Sequence, residues 1–298
     1  MKPYQASSTA FTVLQGIWYV SQNPAYTNLV SDEVKQVSLK ILSASPEGRR
    51  RLQQVDQWWF KKLAPLVERM IMPGITLHYV LRKQYIEDDV RQKLHAGTTQ
   101  VINLGAGFDT LAYRLAKQFP QVSFIELDHP ATGHLKKQAL QPEISAYNNL
   151  HFLSIDFTTE SVADTLTQSK HFVSEKKTVC ILEGVFMYLA ESQIRHILQT
   201  LKRVIQNDLS VIFTAMEFAS KSRYSYGLLL KIYLKIKSEP LTWTCNKEHI
   251  ASFLSEMAYS LQHLAGSQEL RQRYLGPDHR GILQDGEYIA IADHVRPG

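Results

Sequence analysis

The pattern of apolar and polar positions divides the chain near residue 95. Before that point, residues 53–70 and 76–94 carry apolar positions at helical spacing, and Pro73 and Gly74 separate the two stretches. The apolar positions of the first stretch are Val55, Trp58, Trp59, Leu63, Leu66, Val67 and Met70. No series of strands is indicated in this part. The sequence therefore predicts a helical N-terminal lid or cap over residues 1–95.

From Gln100 onwards, short apolar and β-branched runs alternate with helical stretches. The predicted strands are 101–104, 122–127, 150–155, 178–182 and 210–215, and the predicted helices are 110–118, 131–140 and 192–206. This alternation is typical of βαβ units, and the continuously apolar runs indicate strands that are buried on both faces. Two further strands, 261–265 and 288–292, are expected to form a terminal antiparallel hairpin.

The fold class predicted for residues 96–298 is therefore α/β, with a mostly parallel seven-stranded sheet and helices on both faces, forming one integrated domain. The stretch 221–247 interrupts the order with tyrosines, leucines and five lysines. We expect a helical lid or pocket wall inserted over residues 218–250, with an interfacial membrane helix as the alternative. Its aromatic side chains (Tyr224, Tyr226, Tyr233 and Trp243) indicate either a pocket for a flat or apolar molecule or, equally, a packed core.

Composition narrows the function classes. The chain has 298 residues, 44% of them apolar, and a net charge of +5, which excludes a disordered chain. Basic residues occur in short scattered groups, so no nucleic-acid partner is expected. Two cysteines, Cys180 and Cys245, are too few for a disulfide framework and lack metal-ligand spacing, so no metal site is expected. Neither a leader nor a membrane span is visible, which indicates a soluble cytoplasmic protein; the oligomeric state stays open.

The most informative segment is the glycine turn, residues 103–110 with the sequence Asn-Leu-Gly-Ala-Gly-Phe-Asp-Thr. It follows a predicted strand and opens a predicted helix, so Gly105, Ala106 and Gly107 can bring the backbone close to a ligand. A Gly-x-Gly turn is weak evidence by itself. The third glycine of the dinucleotide fingerprint would fall at Thr110, and its absence argues against a pyrophosphate site.

Three acidic residues end the next predicted strands. Asp128 follows Gly107 by 21 positions and can accept hydrogen bonds from the hydroxyls of an adenosine ribose, or it can cap the helix that starts near Ala131. Asp156, beside Phe157, suits an adenine, or equally the cap of a helix from Ser161. Glu183, before Gly184, suits a cationic ligand group, or it is a solvated loop acid.

Three segments together carry a family resemblance: residues 100–110, 125–130 and 182–189. They resemble the leucine carboxyl methyltransferase family, in particular its bacterial polyketide-type O-methyltransferase branch, over about residues 8–217. The resemblance implies a Rossmann-like class I fold and S-adenosyl-L-methionine (SAM) as cofactor. It also implies SN2 methyl transfer to a carboxylate or hydroxyl oxygen of a small-molecule or protein acceptor. An NAD(P)-dependent oxidoreductase and a catalytically silent scaffold are the rival interpretations.

The resemblance also implies roles for individual residues. The glycine turn lies under the cofactor, Asp128 is at the ribose, Asp156 and Phe157 are at the adenine, and Glu183 is near the methionine amino group. His129 and Thr9 are also expected to contact the cofactor. Arg82 pairs with the methionine carboxylate, where a guanidinium offers a bidentate fork; a surface arginine is the alternative.

Two positions depart from the family pattern. Thr9 stands where phosphatase-directed members have a lysine, and its hydroxyl can still donate to a carboxylate. Leu111 stands where many bacterial relatives have an arginine. Both differences argue against a phosphatase C-terminus as acceptor. No catalytic residue is assigned, because a carboxylate acceptor needs no general base. A hydroxyl would need one, and His129, His134 and Tyr188 are the candidates, although each suits a structural role better.

Overall fold

The computed structural model describes residues 6–141, 143–157, 159–217, 241–277, 279 and 281–294. Most of the predicted insertion over residues 218–250, with Tyr224, Tyr226 and Tyr233, lies outside the described residues. Trp243 is described, and it is buried against Phe186 and Phe253, so this aromatic belongs to the core.

Between residue 6 and the first strand the structure has five α-helices: α1 (Ser8–Ser21), α2 (Asp32–Ser43), α3 (Pro46–Asp56), α4 (Trp58–Ile71) and α5 (Ile75–His95). Serine side chains define the starts of the first three helices. Ser7, Ser31 and Ser45 each accept a hydrogen bond from the backbone N–H three residues ahead, which satisfies an otherwise unpaired donor of the first turn. A short 3-10 helix, Pro24–Leu29, links α1 to α2.

The prediction of one helix over residues 53–70 is wrong. Gln57 has an extended backbone (φ −70°, ψ 135°) that ends α3 and begins α4. Val55 is fully buried, whereas the other apolar positions of the predicted stripe, all on α4, are exposed. The break has no glycine or proline to mark it, and apolar residues continue at helical spacing across it, so periodicity alone cannot detect it.

The sheet has seven strands: β1 (Gln100–Leu104), β2 (Ser123–Asp128), β3 (Leu150–Ser154), β4 (Thr178–Leu182), β5 (Leu209–Met216), β6 (Tyr259–Ala265) and β7 (Glu287–His294). Their order is β3-β2-β1-β4-β5-β7-β6, and the first five strands are parallel. β7 runs antiparallel to both of its neighbours. The predicted α/β class with a mostly parallel seven-stranded sheet is confirmed.

Helices follow most strands: α6 (Leu111–Gln118), α7 (Pro130–Leu140), α8 (Val162–Thr167), α9 (Glu191–Val204), α10 (Lys247–Ser255) and α11 (Ser267–Tyr274). Short 3-10 helices occupy Glu143–Ala146 and Phe186–Tyr188. The terminal strands pair as predicted, but α11 lies between them, so the connection is not a tight hairpin.

Alternating side chains of each strand enter two separate cores. Val101 packs with residues of α1, α2 and α5 to α7, whereas the next residue, Ile102, packs with residues of α8 to α10. The sheet is therefore covered on both faces. The carboxyl ends of β1 to β4 converge on one edge, which is where open α/β sheets bind ligands.

Candidate functional site

The glycine turn after β1 has backbone angles that favour glycine. Gly105 has φ +70° and Gly107 has φ +51°. The backbone N–H groups of Gly105 and Ala106 both donate to the Leu127 carbonyl at the end of β2, at 2.8 and 3.2 Å. A Cβ on Gly105 would lie 2.5 Å from Val185 Cγ2, so the turn excludes a side chain there.

Asp128 ends β2 beside this turn. Its Oδ2 accepts a hydrogen bond from Gly107 N–H, and its Oδ1 accepts one from His129 N–H at 2.7 Å. Burial raises the pKa of the Asp128 carboxyl. The alternative role as a helix cap is wrong, because His129 caps α7, with its Nδ1 accepting from Ala131 N–H. A carboxylate has about four acceptor positions, so Asp128 retains capacity for ligand hydroxyls.

Arg82, in the middle of α5, is the centre of a buried ion cluster. Its Nε donates to Glu183 Oε1 at 2.8 Å, and its Nη1 lies 2.7 Å from both carboxylate oxygens of Glu287. The side chain is only 6% exposed, so the alternative of a surface arginine is wrong. Glu183 is equally buried and is not a solvated loop acid.

Lys83 completes the cluster on the other side of Glu183. Its Nζ lies 3.0 Å from Glu183 Oε2 and 3.2 Å from Asp109 Oδ2. Burial disfavours the charged ammonium, but the Asp109 and Glu183 carboxylates outweigh burial and raise the pKa of Lys83. Asp109 is held ionised in turn, because Lys83 lowers its pKa despite burial.

Glu287 enters the site from β7, far from the other members in sequence. It also contacts His78, whose Nε2 lies 3.0 Å from Glu287 Oε2. Burial opposes ionisation of this carboxyl, but the Arg82 guanidinium outweighs burial and lowers the pKa of Glu287 to about 2. Neither Glu287 nor His78 was predicted, because no local motif marks them.

Asp156, Phe157 and Thr9 lie around the same opening. Asp156 and Phe157 follow β3, and both are half-buried. The helix-cap alternative for Asp156 is wrong, because Ser161 caps α8 by accepting from Asp164 N–H. Thr9 lies in the first turn of α1.

One cavity of about 420 Å³ unites these groups. All ten residues predicted to bind a cofactor line it: Thr9, Arg82, Gly105, Ala106, Gly107, Asp128, His129, Asp156, Phe157 and Glu183. Sequence reasoning missed Lys83, Asn103, Asp109 and Glu287, which also line it. Asn103 Nδ2 is a buried donor that has no hydrogen-bond partner among the described residues. Such a donor fits an acceptor atom on a bound ligand.

A second part of the cavity wall is apolar. Val13 and Ile17 come from α1, Met72 and Ile75 from the turn into α5, and Met187 follows β4. His134, one of the candidate bases, does not line the cavity, whereas His129 and Tyr188 do. Within the ranges that the structure describes, no cluster of three or more histidine, cysteine or acidic side chains could hold a metal ion.

The strand order, the glycine turn and the acidic residues at the strand ends define the class I methyltransferase fold. A Streptomyces avermitilis protein of the DUF574 family shares this fold with a TM-score of 0.61 and 9% identity, over 97% of this chain and 98% of that one. A Thermobifida fusca YX structure described as a "putative methyltransferase" gives a TM-score of 0.59 and 12% identity, over 86% of this chain and 94% of that one. At these identities the likeness shows the fold alone.

The model of the leucine carboxyl methyltransferase family matches residues 20–202, which is more than half of the chain. The protein therefore belongs to the leucine carboxyl methyltransferase family, as the resemblance implied. The Bacillus subtilis (strain 168) protein named "Putative S-adenosyl-L-methionine-dependent methyltransferase YktD" is 30% identical over 133 residues, which is 44% of this chain and 43% of that protein. A Parafrankia sp. (strain EAN1pec) protein with the corresponding name is 28% identical over 48% of this chain and 44% of its own length. The matched region thus spans less than half of each relative.

Proposed function

We propose that the protein transfers a methyl group from SAM to an oxygen atom of its acceptor. The observation that carries this proposal is the convergence of all ten predicted residues on one cavity at the carboxyl ends of β1 to β4. Family membership and the names of the relatives support the same activity.

The adenosine half of the cofactor fits beside the glycine turn. Asp128 is the acceptor for the two ribose hydroxyls, because it lines the cavity and has acceptor positions left for a ligand. The glycine turn beside it lets the ligand approach the backbone closely. His129 adjoins it at the same wall. Asp156 accepts from the adenine amino group, and the Phe157 ring packs on the base.

The methionine half fits at the ion cluster. Glu183 attracts the ammonium, and Arg82 with the unpartnered Asn103 Nδ2 offers donors to the carboxylate. Thr9 covers this region from α1, where its hydroxyl is an additional donor. Lys83 and Glu287 hold Glu183 and Arg82 in place, because each of them pairs directly with one of these side chains.

The acceptor that the site supports best is a carboxylate on an apolar small molecule or peptide. A carboxylate attacks without losing a proton, so no general base is required. The C–O bond forms as the C–S bond breaks, the sulfur retains the bonding electron pair, and the products are a neutral ester and S-adenosylhomocysteine. Opposite charges are neutralised in this step, so the apolar wall of Val13, Ile17 and Met187 favours it by excluding water.

Calorimetric titration with SAM and S-adenosylhomocysteine tests the cofactor. We expect micromolar binding by the wild type, loss of at least tenfold in affinity for Asp128→Asn, and no change for the matched surface variant Asp32→Asn, whose side chain is 86% exposed. Binding of NADPH in place of both sulfur ligands would refute the proposal. Alkali treatment of the methylated product then identifies the oxygen, because methyl esters release methanol and methyl ethers do not.

A further inference from the structure

Helix α4 (Trp58–Ile71) presents a large apolar surface to solvent. None of its side chains is buried. Six of the nine large apolar side chains that are exposed in the described part of the chain belong to it: Trp58, Trp59, Leu63, Leu66, Val67 and Met70. Trp58 is 70% exposed, Met70 67% and Leu66 58%. Single exposed apolar residues are ordinary, but a contiguous group marks a binding surface.

The helix has one face toward the protein and a different apolar face toward solvent. Phe60, Ala64, Glu68 and Ile71 are half-buried and recur every three or four residues, so they form the protein-facing side. Glu68 on this side accepts a hydrogen bond from Thr76 Oγ1 at 2.8 Å. The outward row is Trp59, Leu63, Leu66 and Met70, again at helical spacing. This outward row is therefore not needed to attach α4 to the protein.

The outward row is bordered by positive charge. Lys62 and Arg69 are exposed and lie four residues before and three residues after Leu66, which places them along its edge. Lys62 Nζ lies 5.4 Å from the centre of the Trp58 ring. Lys61 is also exposed. The single acidic residue of the helix, Glu68, is on the protein-facing side, so α4 offers solvent only cations and apolar groups.

Helix α4 itself carries a net positive charge. It contains three basic residues and one acidic residue, a net charge of +2 over 14 residues. The whole chain of 298 residues carries +5, so α4 is more basic per residue than the chain as a whole. The apolar and basic surface itself consists of α4 residues alone.

We propose that α4 is an interfacial helix that docks the protein on an anionic lipid bilayer. A tryptophan- and leucine-rich face bordered by lysine and arginine matches the chemistry of a membrane interface, where apolar rings enter the acyl boundary and cations meet lipid phosphates. A second copy of the chain fits less well, because two such faces would bring like charges together. No helix of the described residues is long and apolar enough to span a bilayer, which an interfacial helix does not require.

Docking through α4 also has a consequence for the cavity. Met72, the residue directly after α4, lines the apolar part of the cavity, and Ile75 follows at the start of α5. A bilayer at α4 therefore lies beside the acceptor end. From this position an apolar acceptor can pass from the bilayer into the cavity. This delivery step rests on the proposed function, whereas the docking of α4 on the bilayer does not.

Co-sedimentation of the full chain with phosphatidylcholine vesicles, with and without phosphatidylglycerol and without SAM, tests the proposal. Tryptophan emission gives a second readout, because Trp58 and Trp59 are exposed while Trp243 is buried. We expect binding to anionic vesicles, a blue shift of the emission, and weakening by salt. Leu63→Glu with Leu66→Glu lowers the partition coefficient at least tenfold. Lys62→Gln and Arg69→Gln each lower it about fivefold.

The matched control is Leu39→Glu on α2, where a 41% exposed leucine lies outside α4; it leaves binding unchanged. Three results would overturn the proposal. The first is no difference between anionic and neutral vesicles, and the second is equal binding by the α4 variants and the wild type. The third is a dimer in sedimentation equilibrium that does not bind vesicles and that the α4 variants dissociate. Because SAM is absent, failure here is distinct from failure of the methyltransferase proposal.

Discussion

The buried carboxylate of Glu287 provides a direct test of the ion cluster through protein stability. Its pKa is lowered from 4.5 to about 2 in the folded protein, because the Arg82 guanidinium outweighs the opposing effect of burial. A carboxyl group with a depressed pKa stabilises the fold above its unfolded pKa, and this contribution disappears as the pH falls through the folded pKa. This pKa shift corresponds to a contribution of about 3 kcal/mol to the free energy of unfolding at neutral pH. Removal of one partner from a buried ion pair costs a similar amount, about 3 to 5 kcal/mol.

Glu287→Gln is the perturbation, and urea unfolding at a series of pH values is the assay. At pH 7 we expect the variant to have a free energy of unfolding about 3 kcal/mol below that of the wild type. The difference in the free energy of unfolding is constant above about pH 5.5 and has narrowed by about 1.4 kcal/mol at pH 3.5, because protonation of this carboxyl then stabilises the unfolded wild type. Glu256→Gln is the matched control. Because Glu256 forms an exposed ion pair with Arg195, we expect this variant to lower the free energy of unfolding by less than about 1 kcal/mol.

Two results would refute the reasoning on Glu287. A difference below about 1 kcal/mol at pH 7 would mean that the pair with Arg82 adds little beyond a surface ion pair. A difference that stays constant between pH 5 and pH 3.5 would mean that the carboxyl does not titrate with a depressed pKa, even if the variant is destabilised for another reason such as altered packing.

Further predictions concern the glycine turn, the guanidinium and the buried thiol. Gly105→Ala should destabilise the protein by about 2 kcal/mol or more, since the left-handed backbone disfavours alanine and the new Cβ meets Val185. Gly133→Ala, in α7, should be neutral or stabilising by up to about 1 kcal/mol, because the new Cβ has no atom within 4 Å. Equal changes in the free energy of urea unfolding for the two glycine variants would contradict this prediction. Arg82→Lys should weaken SAM binding at least tenfold in calorimetry, because an ammonium cannot replace the fork that engages two carboxylates; unchanged affinity would count against the assignment. Cys180, whose pKa burial raises, should resist iodoacetamide in the folded protein and react in urea, as followed by mass spectrometry; rapid labelling without denaturant would show that the strand is accessible.

The parallel half of the sheet was predictable because its signals are local. β1, β2, β4 and β5 are buried on both faces, as their apolar runs predicted, and helical periodicity follows between the strands. The same expectation for β3 is wrong, because β3 is the edge strand and is mostly half-buried. The glycine turn and Glu183 each lie directly after a strand, and Asp128 is the last residue of one. The carboxyl ends of parallel strands meet at one edge, so residues that are separate in sequence can be assigned to one site without knowledge of any contact.

Helix α4 shows where periodicity fails. The spacing of Val55, Trp58 and Trp59 fits one continuous helix, yet the extended backbone of Gln57 separates Val55 in the core from the tryptophans in solvent. A period reports that apolar side chains share a face, but it does not report what that face contacts. An apolar face that meets a lipid interface has the same sequence pattern as one that meets a core.

Glu287 was missed for a reason of topology. It is the first residue of β7, and β7 runs antiparallel to β5, so that Glu287 pairs with Met216 at the carboxyl end of β5. The amino end of an antiparallel strand thus reaches the same edge as the carboxyl ends of its parallel neighbours. A search restricted to residues that follow strands cannot find it, even though it is 205 positions from Arg82 and bonds it through both carboxylate oxygens. In sheets with this strand order, the residues that begin the antiparallel strand therefore belong among the candidate site residues, and the stability of Glu287→Gln tests that rule in this protein.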